Sequence, residues 1–571
     1  MQYDLIIQNG TVIDGSGLPR FRADVGIIDG KIASIGRIRG ESAQEVVDAE
    51  GHVVAPGFID GHTHMDAQVS WDPLGTCSCW HGITSVIMGN CGFSLAPCKE
   101  SEKDMVMRNL ERAEDIAPEA MNAGINWTWE TFPEYLDSVE RLPKGINYGA
   151  YMGHSALRTY IMGERAFTEQ ASESDLERMK QQVREAIQAG AMGFTTSRTR
   201  NHQTPQRQPV ASRLATWDEV RQLVGVMGEL GAGIFEIAGE DTGRDPERIA
   251  EYQARLKALA VETGVPVTYG MFTMRRAPDC WQSYYELADE TAAAGGRMFM
   301  QVHSRSLNAV LSFETNTPFD RLPTWRRLKK MGSLAEKEAA LRDPDFRRTL
   351  VEEARDQEPD GGRGTGPEAR AADYDWLYVM DSPNPPHRSV AEIAAAQGKD
   401  PVEVFIDLAL DKGLKQFYLQ PLANEDQDHA LQMIKHPRSV VTFSDSGAHV
   451  SQIMDSSLQT HLLSHWVREK QEVTLEEAVR MLSFVPASQW GLNGRGLLRE
   501  GMTADVVVFN PDTVAPMMPE LTYDLPAGAR RLKQKAAGFL ATVVNGQVVL
   551  RNNEHTGALP GQLLRGPLAR A

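Results

Sequence analysis

Two histidines one residue apart are the residues of this chain best placed to bind a catalytic metal. His62 and His64 follow an apolar stretch, within the segment 57–66, Gly-Phe-Ile-Asp-Gly-His-Thr-His-Met-Asp. Alternate side chains of a strand point to the same side, so both imidazoles can bind one ion. A bare His-x-His pair can be incidental, but here Pro56-Gly57 predicts a tight turn into the strand and Asp60 adds a carboxylate beside the imidazoles. The spacing therefore indicates a catalytic metal and not a zinc finger.

A cysteine and an aspartate are the next candidates. Cys91 lies in 89–94, Gly-Asn-Cys-Gly-Phe-Ser, directly after a predicted strand. Metal coordination deprotonates a thiol, so Cys91 can be a ligand, and it can equally be a buried small apolar residue. Asp445 lies at the end of the last predicted strand, where a carboxylate can bind a metal and accept a proton from a water that the metal activates. Its position and the small residues after it favour function over a solvated loop.

These side chains follow strands in a repeated strand and helix pattern that fills the middle of the chain. Apolar strand-like runs lie at 86–88, 148–152, 191–194, 233–235, 265–268, 298–302 and 440–443. The pattern predicts an α/β fold with a (β/α)8 TIM-like barrel. In that architecture the active-site residues follow the C-terminal ends of the strands, as these candidates do.

Both ends of the chain predict short strands separated by turns. The strands are predicted at 3–8, 11–13, 24–28, 31–35, 504–509 and 541–550, with turns at Asn9-Gly10, Asp14-Gly15 and Asp29-Gly30. Neither end has enough strands for an independent sheet, so we expect them to pair into one small β-sandwich domain. The predicted domains are 1–55 plus 485–571 for this sandwich and 56–484 for the barrel.

One segment departs from the strand and helix rhythm. Residues from about 316 to 388 are rich in charge, proline and glycine, including Asp-Gly-Gly-Arg-Gly-Thr-Gly at 360–366. A loop of this length is either a lid over a site or a solvated insertion, and the sequence leaves both open.

Composition and charge exclude several classes of partner. The chain has 571 residues, 42% of them hydrophobic and 24% charged, which is typical of a globular protein with one large catalytic domain and a satellite. A net charge of −18 argues against nucleic acid and against an anionic membrane surface. We find no secretory signal at the start and no apolar run long enough to cross a bilayer, and the five cysteines suit reduced thiols. We expect a cytoplasmic protein with a small-molecule substrate, and a homo-oligomer is possible.

Taken together, the motifs resemble those of the amidohydrolase superfamily, specifically its D-aminoacylase (N-acyl-D-amino-acid deacylase) group. The resemblance covers most of the chain, is patchy between about 195 and 440, and depends on Gly-Asn-Cys-Gly for the assignment to this group. It is carried by 57–64, 89–94, Gly-His-Ser-Ala-Leu-Arg at 153–158, Ser444-Asp445 and 494–505. It implies zinc as the cofactor, as one or two divalent ions, with His62, His64 and Cys91 as metal ligands and Asp445 activating the water.

The chain also departs from that group in its metal ligands. The family normally supplies two further histidines, one each from the fifth and sixth barrel strands. The corresponding stretches here, 234–240 and 267–272, contain no histidine. We therefore favour a single ion on the side of the first strand. Glu236 can replace one missing ligand as a carboxylate, or it can face solvent or support the ligands from behind.

Further candidates come from the seventh predicted strand and from the motif at 153–158. His303 can be a third imidazole ligand, a donor to the oxyanion of a tetrahedral intermediate, or a histidine satisfied within the barrel top. Arg305 can hold a substrate carboxylate through its planar guanidinium group, or it can be a structural ion-pair partner. We assign His154 and Arg158 to the structure of the barrel top and not to the metal.

These residues support three alternative functions. The first is metal-dependent cleavage of an amide C–N bond, deacylating an N-acyl-D-amino acid or a similar N-acyl compound through a metal-activated water. The second is another amidohydrolase reaction, on a cyclic amide, a carbamate or an aryl amide. The third is a non-catalytic binding or assembly protein, which the two missing histidines motivate. The joint presence of His62, His64, Cys91 and Asp445 argues against the third.

Overall fold

Strands from the two ends of the chain lie in one sheet. The computed structural model describes residues 2–39, 42–243, 245–275, 277–355, 371–450 and 455–569. Among these, nine strands form a sheet in which Val506–Phe509 pairs antiparallel with Val53–Pro56, so the predicted pairing of N- and C-terminal strands is present. The other strands of this sheet are Gln2–Val12, Phe21–Ile28, Lys31–Gly36, Ser42–Asp48, Phe539–Val544, Gln547–Arg551 and Glu554–His555.

The turn predicted at Asn9-Gly10 is wrong. The strand Gln2–Val12 runs straight through it, with Asn9 at a φ of +62° and a shift in register against Phe21–Ile28 between Ile7 and Gly10. This irregularity is a bulge, which uses the same left-handed backbone as a tight turn. A Cβ on Gly10 would come within 2.4 Å of the Val54 side chain on the neighbouring strand, so packing between the strands requires glycine there.

The middle of the chain supplies the parallel strands. The described residues between 58 and 441 contain eight, which we number first to eighth along the chain. They are Phe58–Asp60, Ile83–Met88, Asn147–Ala150 with its continuation Met152–Gly153, Gly193–Ser197, Ile234–Ala238, Val267–Gly270, Met298–Val302 and Ser439–Val441. The third strand joins two hydrogen-bonded sheets, because Asn147–Ala150 pairs with the second strand and Met152–Gly153 with the fourth. The predicted α/β class is confirmed.

Helices separate successive parallel strands, and local sequence signals fix where they begin and end. Ser172 and Asp175 form a capping box at the start of Glu173–Ala189, and Gly190 ends that helix with a φ of +107°. No helix in the described ranges is both long and apolar enough to cross a bilayer. Apart from short 3-10 turns, the remaining helices outside the insertion described below are Lys103–Ala113, Pro118–Gly124, Phe132–Arg141, His154–Met162, Trp217–Leu230, Pro246–Thr263, Gln282–Ala293, Gln427–Lys435, Leu458–His461, the π-helical Leu462–Glu469, Leu475–Leu482 and Phe484–Gln489.

Residues from the C-terminal part of the chain also pack on the parallel strands. Trp490, just after the helix Phe484–Gln489, is buried with apolar residues of several of these strands, and its Nε1 donates a hydrogen bond to the Tyr151 hydroxyl at 2.7 Å. Leu563–Leu564 pairs in parallel with Asn147–Ala150. The chain therefore returns to the parallel strands after completing the nine-stranded sheet.

The segment between the seventh and eighth strands is a folded unit, so the loop predicted over 316–388 is wrong for its described part. Its core is aromatic: ring centroids are 4.4 Å apart for Phe319 and Trp325 and 4.3 Å apart for Phe405 and Tyr418. Charged residues lie on the exposed faces of the helices, so the composition of the segment does not reveal the regular spacing of its apolar residues. The glycine-rich run 360–366 lies outside the described residues. The unit contains the strands Leu307–Leu311, Tyr378–Val379 and Tyr418–Ala423 and the helices Pro323–Lys329, Leu334–Arg342, Pro344–Arg355, Val390–Gln397 and Pro401–Asp411.

Candidate metal centre

The structure brings the four principal candidates together beyond the C-terminal ends of the first, second and eighth strands. His62 Nε2 lies 3.4 Å from Cys91 Sγ and 3.4 Å from Asp445 Oδ1. His64 Nε2 lies 3.2 Å from the same Asp445 oxygen. The two histidines lie just past the strand Phe58–Asp60 and not within it. Backbone hydrogen bonds to the chain after the eighth strand hold both histidines in place. Asp445 N donates to His62 O at 3.3 Å, and His64 N donates to Ser446 O at 2.8 Å.

A side chain from the seventh strand orients His62. Gln301 Oε1 lies 2.6 Å from His62 Nδ1, and Gln301 Nε2 donates to Thr268 Oγ1 at 3.1 Å. With its amide group so directed, Gln301 accepts the Nδ1 proton of His62. The Nε2 lone pair of His62 then faces Cys91 and Asp445, which is how the outer hydrogen bond of a metal-binding histidine selects the tautomer.

Four non-glycine residues at the centre have left-handed backbone. Their φ values are +55° for Cys91, +83° for Phe443, +54° for Asp445 and +49° for His449. Such conformations cost free energy and persist where the surroundings enforce them, often at functional sites. Here they turn the chain sharply after the second and eighth strands. One result is that the Phe443 ring stacks on His62 with centroids 3.8 Å apart.

Three residues that the sequence analysis missed belong to the same cluster. Glu114 follows the helix Lys103–Ala113, and its Oε2 lies 3.5 Å from His64 Nε2 and 3.5 Å from His449 Nε2. Its Oε1 lies 3.8 Å from His202 Nε2. His202 and His449 each follow a predicted strand within a few residues, so a search of the loops after those strands would have included them. No spacing in the sequence points to Glu114.

Without a metal ion, burial and the neighbouring charges determine which of these side chains are protonated. Burial lowers the pKa of His62 to about 3 and raises that of Glu114 to about 7. Burial also opposes charge on His64, but the nearby carboxylates of Glu114 and Asp445 outweigh it and raise the pKa of His64 to about 9. The same imidazole holds the pKa of Asp445 below its ordinary value despite burial. Burial raises the pKa of the Cys91 thiol well above its ordinary value, so a thiolate there needs a cation.

The donor atoms are spaced like the ligands of a metal ion. Within the described part of the chain, Asp445 Oδ1, Glu114 Oε1 and both ring nitrogens of His64 lack hydrogen-bond partners, although these side chains are buried or nearly so. Ligand pairs at a tetrahedral zinc are about 3.4 Å apart for nitrogen and oxygen and about 3.6 Å for nitrogen and sulfur, from bond lengths of about 2.0–2.3 Å. The separations of 3.2–3.4 Å found among His62, His64, Cys91 and Asp445 match these values. The residues present therefore fit a metal ion.

Glu236 lies beside the cluster on the fifth strand. Its Oε2 accepts a hydrogen bond from Cys91 N at 2.7 Å, and burial raises its pKa to about 8. Its Oε1 has no hydrogen-bond partner among the described residues. Glu236 thus holds the backbone of Cys91 with one oxygen. It is not in either group of donor atoms that lie mutually within 4.8 Å in the described chain.

His303 is in neither group of mutually close donor atoms in the described chain, and Arg305 lies two residues after it. Arg305 N donates to His303 Nδ1 at 3.2 Å, and Arg305 Nη1 donates to Ser457 Oγ at 2.8 Å. Arg305 lines a cavity of about 250 Å³ between the insertion and the strand ends. Other residues lining this cavity include Trp376, Tyr378, His387 and His461.

The motif at 153–158 is structural. His154 Nδ1 lies 2.8 Å from Thr196 Oγ1, and His154 Nε2 lies 2.9 Å from Glu219 Oε1. Arg158 Nη1 donates to the same carboxylate at 2.6 Å, and the Arg158 side chain is fully buried. Both nitrogens of His154 are thus engaged in hydrogen bonds, and the assignment of this motif to the barrel top stays a prediction.

Comparisons with known proteins agree with this picture. The model of the family described as "Amidohydrolase family" matches residues 45–550. A D-aminoacylase of Alcaligenes xylosoxydans xylosoxydans is 28% identical, with 98% of this chain and 97% of that protein covered. The structure of a D-aminoacylase with a binuclear metal center has a TM-score of 0.66 at 24% identity, covering 99% of this chain and 100% of that one.

A second solved structure has the same fold. It is the N-acyl-D-glutamate deacylase of Bordetella bronchiseptica, complexed with zinc and a phosphonate inhibitor that mimics the tetrahedral intermediate of the reaction. Its TM-score is 0.66 at 24% identity, with 99% of this chain and 100% of that one covered. At this identity the likeness concerns the fold, so residue roles rest on the geometry above.

Proposed function

The chain belongs to the amidohydrolase family, and we propose that it is a metal-dependent hydrolase that removes the acyl group from an N-acyl-D-amino acid. The observation that carries this proposal is the buried cluster of His62, His64, Cys91 and Asp445, whose donor atoms are spaced like the ligands of one ion. The similarity to D-aminoacylase over nearly the full length of both chains supports the substrate class.

We further propose that the parallel strands of the described chain close into one (β/α)8 barrel, with the small β-sandwich domain built from 1–55 and 485–571. The backbone hydrogen bonds between the chain after the first strand and the chain after the eighth support closure. The packing of Trp490 and the pairing of Leu563–Leu564 favour a barrel unit that also includes residues just after 484 and the C-terminal tail.

Zinc is the ion that we propose for this donor set, because imidazole nitrogen, thiolate sulfur and carboxylate oxygen are its usual ligands. When bound, such an ion polarises the acyl oxygen and makes a water molecule acidic. Asp445 is the base of the reaction: it takes a proton from the attacking water and passes it to the amide nitrogen that leaves. Burial opposes the ionisation of Asp445, but in the metal-free protein the neighbouring His64 outweighs it and holds the pKa of Asp445 below its ordinary value, so this carboxylate is ionised at neutral pH.

The substrate side of the proposal rests on the cavity beside Arg305. The planar guanidinium group of Arg305 can form paired hydrogen bonds with the carboxylate of an N-acyl amino acid. The cavity, of about 250 Å³, is lined by the aromatic side chains of Trp376 and Tyr378 as well as by Arg305, a combination that is typical of small-molecule sites. His303 accepts the Arg305 backbone N–H, so we propose that it positions this loop and does not bind the metal.

A substrate panel on zinc-loaded protein tests the proposal. Release of free amine is measured for N-acetyl-D-amino acids, for their L enantiomers, and for a cyclic amide, a carbamate and an aryl amide. We expect turnover of the D compounds above all others. Turnover of only a cyclic amide, carbamate or aryl amide would replace the deacylase assignment with another amidohydrolase reaction. Failure to bind metal, together with inactivity on the whole panel, would support a binding protein.

Variants connect the activity to the cluster. Asp445→Asn is expected to lower kcat by about 10²–10⁴-fold with unchanged circular dichroism, since a positioned base contributes about that much. The matched control is Asp218→Asn on an exposed helix start. His62→Ala combined with His64→Ala is expected to abolish metal binding and activity. Full activity in that double variant would place the active site elsewhere.

A further inference from the structure

We propose that Glu114 and His202 form a second metal site that shares the Cys91 thiolate with the first. This inference rests on the proposed function only in taking His62 and His64 as ligands of the first ion. The donor atoms of Cys91, Glu114 and His202 lie within 4.8 Å of one another, and so do those of His62, His64 and Cys91. Cys91 is therefore the member common to two sets of buried ligands.

The carboxylate of Glu114 is placed for a cation and not for a hydrogen bond. Glu114 is 1% exposed, and imidazole nitrogens surround it at 3.5 Å, 3.5 Å and 3.8 Å, from His64, His449 and His202. Within the described residues its Oε1 has no hydrogen-bond partner. Its backbone is fixed, because Glu114 N donates to Leu110 O at 2.9 Å and Glu114 O accepts from His449 N at 2.6 Å. A buried carboxylate held in this way is costly unless a cation neutralises it.

His202 has the orientation expected of a metal ligand. Its Nδ1 lies 2.7 Å from Ser197 Oγ, so the outer nitrogen is held by a hydrogen bond. Its Nε2 faces Glu114. The arrangement parallels that of His62, where Gln301 holds the outer nitrogen and the inner nitrogen faces the cluster.

The ends of the fifth and sixth strands support the first site, which explains why the ligands of the second site come from elsewhere. Glu236 on the fifth strand binds the backbone of Cys91, and Thr268 on the sixth accepts a hydrogen bond from Gln301. Both strand ends thus support ligands of the first ion and do not bind a metal themselves. The second set of ligands comes instead from the loops after the second and fourth strands, which replace the two histidines that the sequence lacks.

Metal stoichiometry tests this inference separately from activity. Purified protein is stripped with a chelator, reloaded with Zn²⁺ alone and analysed for zinc per chain, and crystals are measured at the zinc absorption edge. We expect about two ions in the wild-type protein and about one in Glu114→Gln and in His202→Gln, because each change removes a ligand of one site only. The remaining anomalous peak should lie at His62 and His64. Matched controls are Glu111→Gln on the same helix and His555→Gln on the surface.

The outcomes separate this inference from the proposed function. One ion in the wild-type protein, or two ions retained in both variants, would overturn the second site whether or not the enzyme turns over its substrate. Two ions in an inactive protein would instead reject the deacylase assignment and keep the second site. If Glu114→Gln does not fold, His202→Gln and the wild-type stoichiometry still decide. Reloading with Co²⁺ adds a check, since the thiolate absorption band should persist in the variants when Cys91 still binds the first ion.

Discussion

Replacing Gln301 with leucine should weaken metal binding without removing a ligand. Gln301 is fully buried on the seventh strand and accepts the Nδ1 proton of His62 across 2.6 Å. Leucine has a similar size but no acceptor. The imidazole can then move its proton to Nε2, where the proton points at Cys91 Sγ and Asp445 Oδ1, each 3.4 Å away. The lone pair that should bind the metal would then face an apolar side chain.

The expected size follows from the burial of this contact. Loss of the outer hydrogen bond of a metal-binding histidine typically costs about 10–100-fold in metal affinity, or about 1.4–2.8 kcal/mol. Water cannot replace the lost acceptor readily, because His62 and Gln301 are both fully buried. We therefore expect a loss near the upper end, about 100-fold. If His62 keeps its original tautomer, the unpaired buried N–H costs about 1–3 kcal/mol of folding stability instead.

Competition with a chromophoric zinc chelator at fixed pH measures the effect. Gln301→Glu keeps an acceptor at the same position and should retain affinity much closer to wild type. Thr268→Val removes only the partner of Gln301 Nε2 and should cost less than tenfold. Wild-type affinity in Gln301→Leu, or equal losses in the leucine and glutamate variants, would refute the tautomer argument.

Three further outcomes concern stability. Burial raises the pKa of Glu236 from 4.5 to about 8. Its protonated carboxyl group therefore contributes fully to the free energy of unfolding below pH 4.5, and this contribution is lost as the pH rises toward 8. In urea unfolding of metal-stripped protein, Glu236→Gln should remove about 1.4 kcal/mol of that decline per pH unit, and an unchanged pH profile would contradict the shift. Arg158→Met should destabilise the protein by about 3–5 kcal/mol, because it takes the main counter-charge from the buried Glu219, and a loss under about 1 kcal/mol would argue against this role. Trp325→Ala should destabilise the insertion by about 3–5 kcal/mol, seen as faster hydrogen exchange across 307–423, and equal acceleration in the parallel strands would disprove a separate core.

The parts of the site that the sequence predicts are those where a ligand follows its strand directly. His62, His64, Cys91 and Asp445 each lie a few residues past a strand, and parallel strands bring such positions to one end. Glu114 comes from the far end of a helix, so its approach to His64 depends on how that helix packs. No local pattern encodes that packing.

The errors in the predicted fold have similarly local causes. Asp29 and Gly30 both have left-handed backbone and form a turn, whereas only Asn9 of the Asn9-Gly10 pair does, and that pair forms a bulge. The dipeptide alone therefore does not specify the backbone conformation, because the neighbouring strand decides which feature results. Within the insertion, charged residues dominate the composition, but the buried face of each helix carries apolar residues at regular spacing. Composition averages over both faces and therefore indicated a loop.

The seventh strand links the metal centre to the substrate cavity. Gln301 binds His62, His303 accepts the backbone N–H of Arg305, and Arg305 lines the cavity. Gln301 lies within the strand Met298–Val302, and His303 and Arg305 lie in the bend directly after it. Only four positions along the chain separate Gln301 from Arg305, so the end of this strand limits how far apart the two side chains can lie. In the proposed roles, it sets how far the substrate carboxylate lies from the metal. That distance would select the position of the acyl group relative to the carboxylate, so the geometry of the seventh strand would contribute to substrate choice as directly as the lining of the cavity does.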